Sequence, residues 1–425
     1  MKLYNIFIFI LNSYIQTAII FTLKKNNTEY NEKVDQNFYL YLNKRLYINI
    51  SIGTPSQIIP TYINFEKPGF YYSSENNKIY NKLISSSYKQ LEPNKSYGDE
   101  DFNYGNFSSE NFKFKNENNE EIKVNDLNFI LASNNRQFLQ LRPGEMGLKL
   151  TSHSSSFNSN VIYQLKKKNI IENYGFSLIF ENKNEGILLI GKYPHEYNNK
   201  KFKEENLKLI HAEIRNGIAV WNTNFDNIYF GDNLIKDDIK TAYIKSELSG
   251  IMVGEQLFNN YTNSFFNQYI KNKKCEVNKK HSHYYFFICD DDIDIKKFPS
   301  IKFEHRVWNY TFELTYEDLF IKFGNKYYCL IAFYSLSTDI CYLGDVFLQK
   351  YTIVFDQDKK TMGFYHPNNN GNNMPNKSSK YVVIFIFILI LLIIVLIYLY
   401  FKFLNNKKRK IRSNEIDDMY DYLTE

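Results

Sequence analysis

"YINISIGTPSQIIPTYINFEKPGFYY", residues 47–72, carries the pattern on which the rest of the chain can be ordered. Two runs rich in β-branched and aromatic residues flank Gly53, Thr54 and Pro55. This predicts two strands joined by a tight turn. The second run ends on Ile63, Glu66 and Gly69, an I-x-x-E-x-x-G pattern. The same pattern returns at Ile244, Glu247 and Gly250 in "AYIKSELSG". Each copy follows a strand-like run early in its half of the chain, which is where a duplicated fold would repeat.

Further short runs have the same character, among them "FSLIFE", "GILLIGKY", "YTFELTY", "YYCLIAFY" and "YTIVFD". They are bounded by Asn, Gly or Asp, so the fold class is mainly β. Two stretches read as helical, residues 159–171 and 255–272. With 425 residues and 44% hydrophobic content, the chain can build two lobes with real cores. The net charge is +6, but much of the excess sits in "KKRKIR" at 407–412. No basic stripe tracks a phosphate backbone, so nucleic acid is not an expected partner.

Apolar segments frame the chain. "YVVIFIFILILLIIVLIYLYF", residues 381–401, contains no charge and is long enough to span a bilayer as a helix. The lysines and arginines after it place residues 402–425 on the cytoplasmic side. The chain continues well past this span, which reads as a retained helix rather than a removable lipid-anchor signal. Residues 1–23 read as a signal peptide and 24–44 as a short polar lead. The expected product is a single-pass type I membrane protein at the cell surface or facing an endolysosomal or vacuolar lumen. Residues 367–380 read as a flexible linker. Asn-x-Ser/Thr sequons such as those at Asn49 and Asn309 make it an expected glycoprotein. Cys275, Cys289, Cys329 and Cys341 predict two disulfides in an oxidising compartment. They contain no Cys-x-x-Cys pair, so no metal site is expected, and no motif calls for a cofactor.

Several of these stretches together resemble the pepsin-like aspartic proteases (peptidase A1). "YINISIGTPSQ" resembles the family's entry strand and Gly-Thr-Pro turn. "FNYG", with Tyr104 and Gly105, resembles the flap. "GEMGLKL" at 144–150 resembles the Asp-Gly-apolar-apolar-Gly-Leu loop, with Glu145 at a position the family keeps apolar. "CYLGDVFLQKYTIVFDQDKKTMGFY" at 341–365 is the most specific match. The resemblance implies a bilobal fold with a central cleft, a first lobe over 45–205 and a second over 206–366. It also implies a Cys289–Cys329 bridge, with Cys275–Cys341 as the accompanying pair; four cysteines allow three pairings, and the sequence alone leaves them open.

The family's chemistry needs two aspartates, one per lobe, that share a proton. One activates water and the other polarises the scissile carbonyl. Counted from the Gly-Thr-Pro turn, the first aspartate position is Asn64, in the triplet Asn64-Phe65-Glu66. The second is Lys245, in Lys245-Ser246-Glu247. An amide accepts no proton from water, and an ammonium brings positive charge to a site built for a shared negative one. The resemblance therefore implies a catalytically inactive homologue, a peptide- or protein-binding module on a protease fold.

Two alternatives stand beside it. One is an active endopeptidase using the displaced carboxylates Glu66 and Glu247. The other is a structural surface protein whose cleft is plugged by Phe65, Phe70, Tyr71 and Tyr72. An ion pair from Lys245 to Glu66 across the lobes is the plain structural expectation. In the tail, Tyr420 and Leu423 fit a Tyr-x-x-apolar pattern read by sorting adaptors.

Overall fold

The computed structural model describes residues 17–25, 46–73, 80–92, 96–99, 102–132, 144–150, 160–182, 185–212, 214–215, 218–235, 241–279, 284–335 and 340–366. The folded unit ends at His366. The expected linker 367–380, membrane span 381–401 and tail with Tyr420 and Leu423 lie outside the described residues. Among the described residues no helix is long and apolar enough to cross a membrane.

The entry strand Leu46–Ile52 shows how the first half folds. Leu46, Ile48, Ile50 and Ile52 are buried and the residues between them are not, the period of a strand with one face on a core. It pairs antiparallel with Gln57–Asn64 through the Gly53–Ser56 turn. Asn81 and Gln57 exchange amide hydrogen bonds, and Ser85 Oγ accepts from Thr54 N and donates to the buried Glu110, so the turn is fastened from beneath.

Among the described residues one sheet has 14 strands, 11 of them from the first half, and the second half also forms sheets of eight, four and two. The two halves repeat one arrangement. In the first, Gln57–Asn64 runs parallel to Gly144–Gly147, which is antiparallel to Phe70–Ser73. In the second, Thr241–Ile244 runs parallel to Ile340–Leu343, which is antiparallel to Ile251–Val253. The two I-x-x-E-x-x-G stretches are the loops that leave these parallel pairs.

Several expectations are corrected. The leader expected over 1–23 overlaps Ile19–Lys25, a strand paired along Gly186–Ile190 and joined to Leu46–Ile52. Ile19, Phe21 and Leu23 are buried in the core, so this aliphatic run belongs to the sheet, and residues 24 and 25 of the polar lead belong to it too. The second lobe is not contiguous over 206–366. Leu207–His211, Ile353–Asp356 and Thr361–Tyr365 join the first half's sheet through Gly175–Phe180, and the buried Ile353, Phe355, Met362 and Phe364 tie the last two strands to the common core.

The expected disulfides are also replaced. Cys275 and Cys289 are cross-strand neighbours on a hairpin, with Cα atoms 4.0 Å apart, and they form the bridge. Cys329 and Cys341 are buried thiols. Cys341 lies four strands from Cys275 in the sheet order. At ~4.8 Å per strand that is far beyond the Cα separation a disulfide spans. Cys289 faces Tyr327 rather than Cys329. Both helical expectations hold, with an α-helix at Val161–Lys167 and a continuous helical stretch from Glu255 to Lys271.

Candidate functional site

The two loops are closed in the same way. Gly147 N donates to Gly69 O at 2.8 Å, and Lys149 N to Lys67 O at 2.9 Å. In the second half Gly344 N donates to Gly250 O at 3.1 Å, and Asp345 N to Leu248 O at 2.7 Å. Both closing glycines are forced by space. A Cβ on Gly147 would lie 2.3 Å from Lys67 O, and one on Gly344 would lie 2.3 Å from Leu248 O. Loop carbonyls cannot yield at that distance, so these positions fix where residues 64 and 245 point.

Asn64 is buried and turned inward, its Oδ1 accepting from Glu66 N at 2.8 Å. This side chain-to-backbone bond stabilises the turn and points the Glu66 side chain outward. Phe65 drops into the aromatic core beneath, with ring centroids 5.6 Å from Phe176 and 5.0 Å from Phe355. The symmetry-related Ser246 instead reaches across the halves, its Oγ donating to Ile63 O at 3.1 Å. Trp221 Nε1 donates to Leu148 O at 2.7 Å and adds a second tie beneath the loops.

Lys245 stands at the centre. Its Nζ is 2.6 Å from Glu66 Oε1 and 3.8 Å from Glu247 Oε1, and it lies 4.5 Å from the centroid of the Tyr342 ring. The expected ion pair is present, with Glu247 as a second carboxylate. The Lys245 and Glu247 side chains are 17% and 8% exposed, but Glu66 is 52% exposed, so the cluster opens to solvent on the Glu66 side.

Burial works against charge on Lys245, but the carboxylates of Glu247 and Glu66 outweigh it and hold the ammonium well above its ordinary pKa. Burial likewise pushes Glu66 up. The Lys245 charge and hydrogen bond, a contact with Glu247 and the Lys67 charge reverse this and leave Glu66 below its ordinary value.

This geometry limits the chemistry. A proton-sharing carboxyl dyad exists because two close anions repel, so one stays protonated as the acid. An ammonium close to both glutamates removes that repulsion. The Asn64 amide accepts no proton, and the Lys245 ammonium, held protonated by its carboxylate neighbours, is no base either.

The other sequence candidates fall around this centre. Glu145, in strand Gly144–Gly147, is buried opposite Tyr62 and Tyr71 rather than replaced by an apolar contact. Tyr104 and Gly105 lie on the strand Phe102–Asn116, which forms a hairpin with Ser96–Asp99, and Gly105 pairs with Tyr97. The Tyr104 side chain lies outside the described residues. The aromatic plug is corrected: Phe65, Phe70 and Tyr72 belong to the main core, and Tyr71 is buried against Phe107 and Ile130. The apolar interior, not a cleft, gives these rings their lowest-energy place. Sequence reading missed Tyr342 and Tyr243. They lie next to landmarks, Tyr342 before Leu343-Gly344-Asp345 and Tyr243 two residues before Lys245, but the chain's 36 tyrosines hid them. Among the described residues no group of three His, Cys, Asp or Glu side chains is placed to hold a metal ion.

Comparison with known proteins agrees with this architecture. The family model described as eukaryotic aspartyl protease matches residues 46–366. Plasmepsin I, from each of two isolates of Plasmodium falciparum, is 26% identical over 227 residues. That match takes in 52% of this chain and 44% of the relative, so the chain spans about half the length of the curated relatives it matches. Among solved structures, basic 7S globulin from soybean superposes with a TM-score of 0.61 at 13% identity, covering 82% of this chain and 95% of that one. Conglutin gamma, a basic 7S globulin from lupine seeds, gives a TM-score of 0.61 at 14% identity, with the same coverage. At these identities the two structures speak to the fold alone.

Proposed function

The chain belongs to the eukaryotic aspartyl protease family, and from that premise we propose that it is a catalytically inactive member, a membrane-anchored module that binds an extended peptide or protein segment without cutting it. One observation carries the reading. Lys245 Nζ sits between Glu66 and Glu247, bonded to one and close to the other, at the point where the family's chemistry needs a shared proton. What remains is a fold with two intact loop closures and a bridged centre, suited to binding. The uncharged segment 381–401 and the basic residues behind it support a type I topology with a lumenal or surface-facing fold. Tyr420 and Leu423 in the tail support engagement of a sorting adaptor.

A second reading is an endopeptidase that uses Glu66 and Glu247. The contact between these carboxylates, one from each half, favours it, while the ammonium that neutralises them opposes it. The experiment for the binding reading captures peptides from a random library on the full-length protein in detergent micelles. Mass spectrometry then identifies what is retained. The reading expects enriched peptides recovered at full length. Recovery of fragments supports the second reading, and no enrichment at all contradicts the binding module.

A further inference from the structure

A row of tyrosines passes under Lys245 and crosses the second half's sheet. Tyr342 lies beneath the Lys245 ammonium, and Tyr243, its in-register neighbour, meets its ring edge-on at 5.8 Å. On the other side Tyr334 meets Tyr342 edge-on at 5.8 Å. Tyr284, paired in register with Tyr334, stacks on it at 5.0 Å with the planes 12° apart. All four are partly exposed, so the row presents aromatic surface to solvent. Beside the row, on Lys245, stands Glu66, a half-exposed carboxylate from the other half of the molecule.

Partly exposed aromatic rings on neighbouring strands, with hydroxyls at their rims, are the kind of lining that polyproline II segments use. Proline rings pack against the aromatic rings, and the carbonyls of a chain without N–H groups accept from the phenols. Such a segment arrives already extended, so little conformational freedom is lost on docking. From Tyr342, under the Lys245 ammonium, the ring-to-ring steps to Tyr284 reach up to about 11 Å, the length of three to four residues at ~3.1 Å each. A basic side chain next to the prolines meets Glu66 on the exposed side that Lys245 leaves open.

We propose that the occupant of this site is a proline-rich extended segment with a basic residue at one end, its prolines on Tyr334 and Tyr284 and its charge at Glu66. The proposal rests on the peptide-binding reading and narrows it. The test titrates the full-length protein in detergent micelles with a fluorescent peptide of one arginine followed by five prolines. Comparison peptides replace the prolines with alanines or the arginine with glutamate.

The proline peptide is expected to bind about tenfold or more tightly than either comparison peptide. Tyr334→Ala and Tyr284→Ala are expected to weaken it about tenfold, whereas Tyr334→Phe and Tyr284→Phe keep the rings and bind within about threefold. If an alanine variant fails to fold, the comparison peptides decide the matter. Equal binding of the alanine peptide, or unchanged binding by folded Tyr→Ala variants, overturns the proposal and leaves the binding module standing. If neither these peptides nor the random library bind, both fail together.

Discussion

Lys245 from the second half and Glu66 from the first meet at 2.6 Å, while the neighbouring amide of Asn64 is turned away to bond the Glu66 backbone. An ion pair thus joins the two halves at their seam. Glu247, 3.8 Å from the same ammonium, makes the arrangement a carboxylate–ammonium–carboxylate cluster.

Removing the ammonium should cost stability. Lys245→Met leaves Glu247 almost buried beside a second carboxylate with no cation between them. Breaking a fully buried pair costs roughly 3–5 kcal/mol. Glu66 is half exposed and screened by water, so a loss of about 1–2 kcal/mol is expected instead. Urea unfolding at pH 7 measures it. Glu66→Gln, which leaves Glu247 with Lys245, is expected to lose less than Lys245→Met.

Acid should weaken the fold in two stages. His305 is buried with Trp308 N donating to its Nδ1, so Nε2 carries the proton and donates to Thr223 Oγ1. Burial lowers its pKa below the ordinary 6.5, against the pull of the Asp226 charge. The unfolded chain therefore takes up a proton that the folded one refuses, and stability present above about pH 6.5 falls as the pH drops through and below that value. Glu66, held below its ordinary 4.5, adds a second loss beginning as the pH falls past that value. Melting temperatures measured from pH 8 down to about pH 2 should show both declines. His305→Asn should flatten the first and leave the second.

The disulfide assignment is directly checkable. Peptide mapping without reduction should recover Cys275 linked to Cys289, with Cys329 and Cys341 alkylated only after unfolding. Because the bridge closes a short loop, the double variant Cys275→Ser and Cys289→Ser should lose up to about 3 kcal/mol, read as a lower urea midpoint.

The strand Ile19–Lys25 makes a prediction about processing. Removing residues 1–25 takes a buried strand from between Gly186–Ile190 and Leu46–Ile52, and the product should fail to fold. Removing only residues 1–16 should leave a cooperative thermal transition. Circular dichroism melts of the two truncations distinguish them.

The sequence made the centre of the molecule legible because spacing is rigid there. Gly53-Thr54-Pro55 fixes the count to Asn64, and Gly147 and Gly344 admit no side chain, so the two I-x-x-E-x-x-G loops could be aligned and Lys245 placed. Other features depended on partners distant in sequence. Ile19–Lys25 is aliphatic enough to read as part of a leader, and only its pairing with Gly186–Ile190 reveals a strand. Phe65 beside a polar triplet gives no hint that it turns down onto Phe176 and Phe355. The cysteines followed strand register, which the pairing of Cys275 with Cys289 shows and four positions along a chain do not. The tyrosine row comes from four strands and exists only once the sheet is assembled.

Catalytic inactivity is the central claim, and an endopeptidase assay of the purified full-length protein tests it most directly. Casein and a broad peptide library are incubated from pH 3 to pH 7, with and without pepstatin. Cleavage is expected to be indistinguishable from buffer at every pH, because Asn64 supplies no base and Lys245 neutralises the glutamates beside it. Pepstatin-sensitive cleavage that disappears in the Glu66→Gln and Glu247→Gln variants would contradict the account and assign the chemistry to the displaced carboxylates.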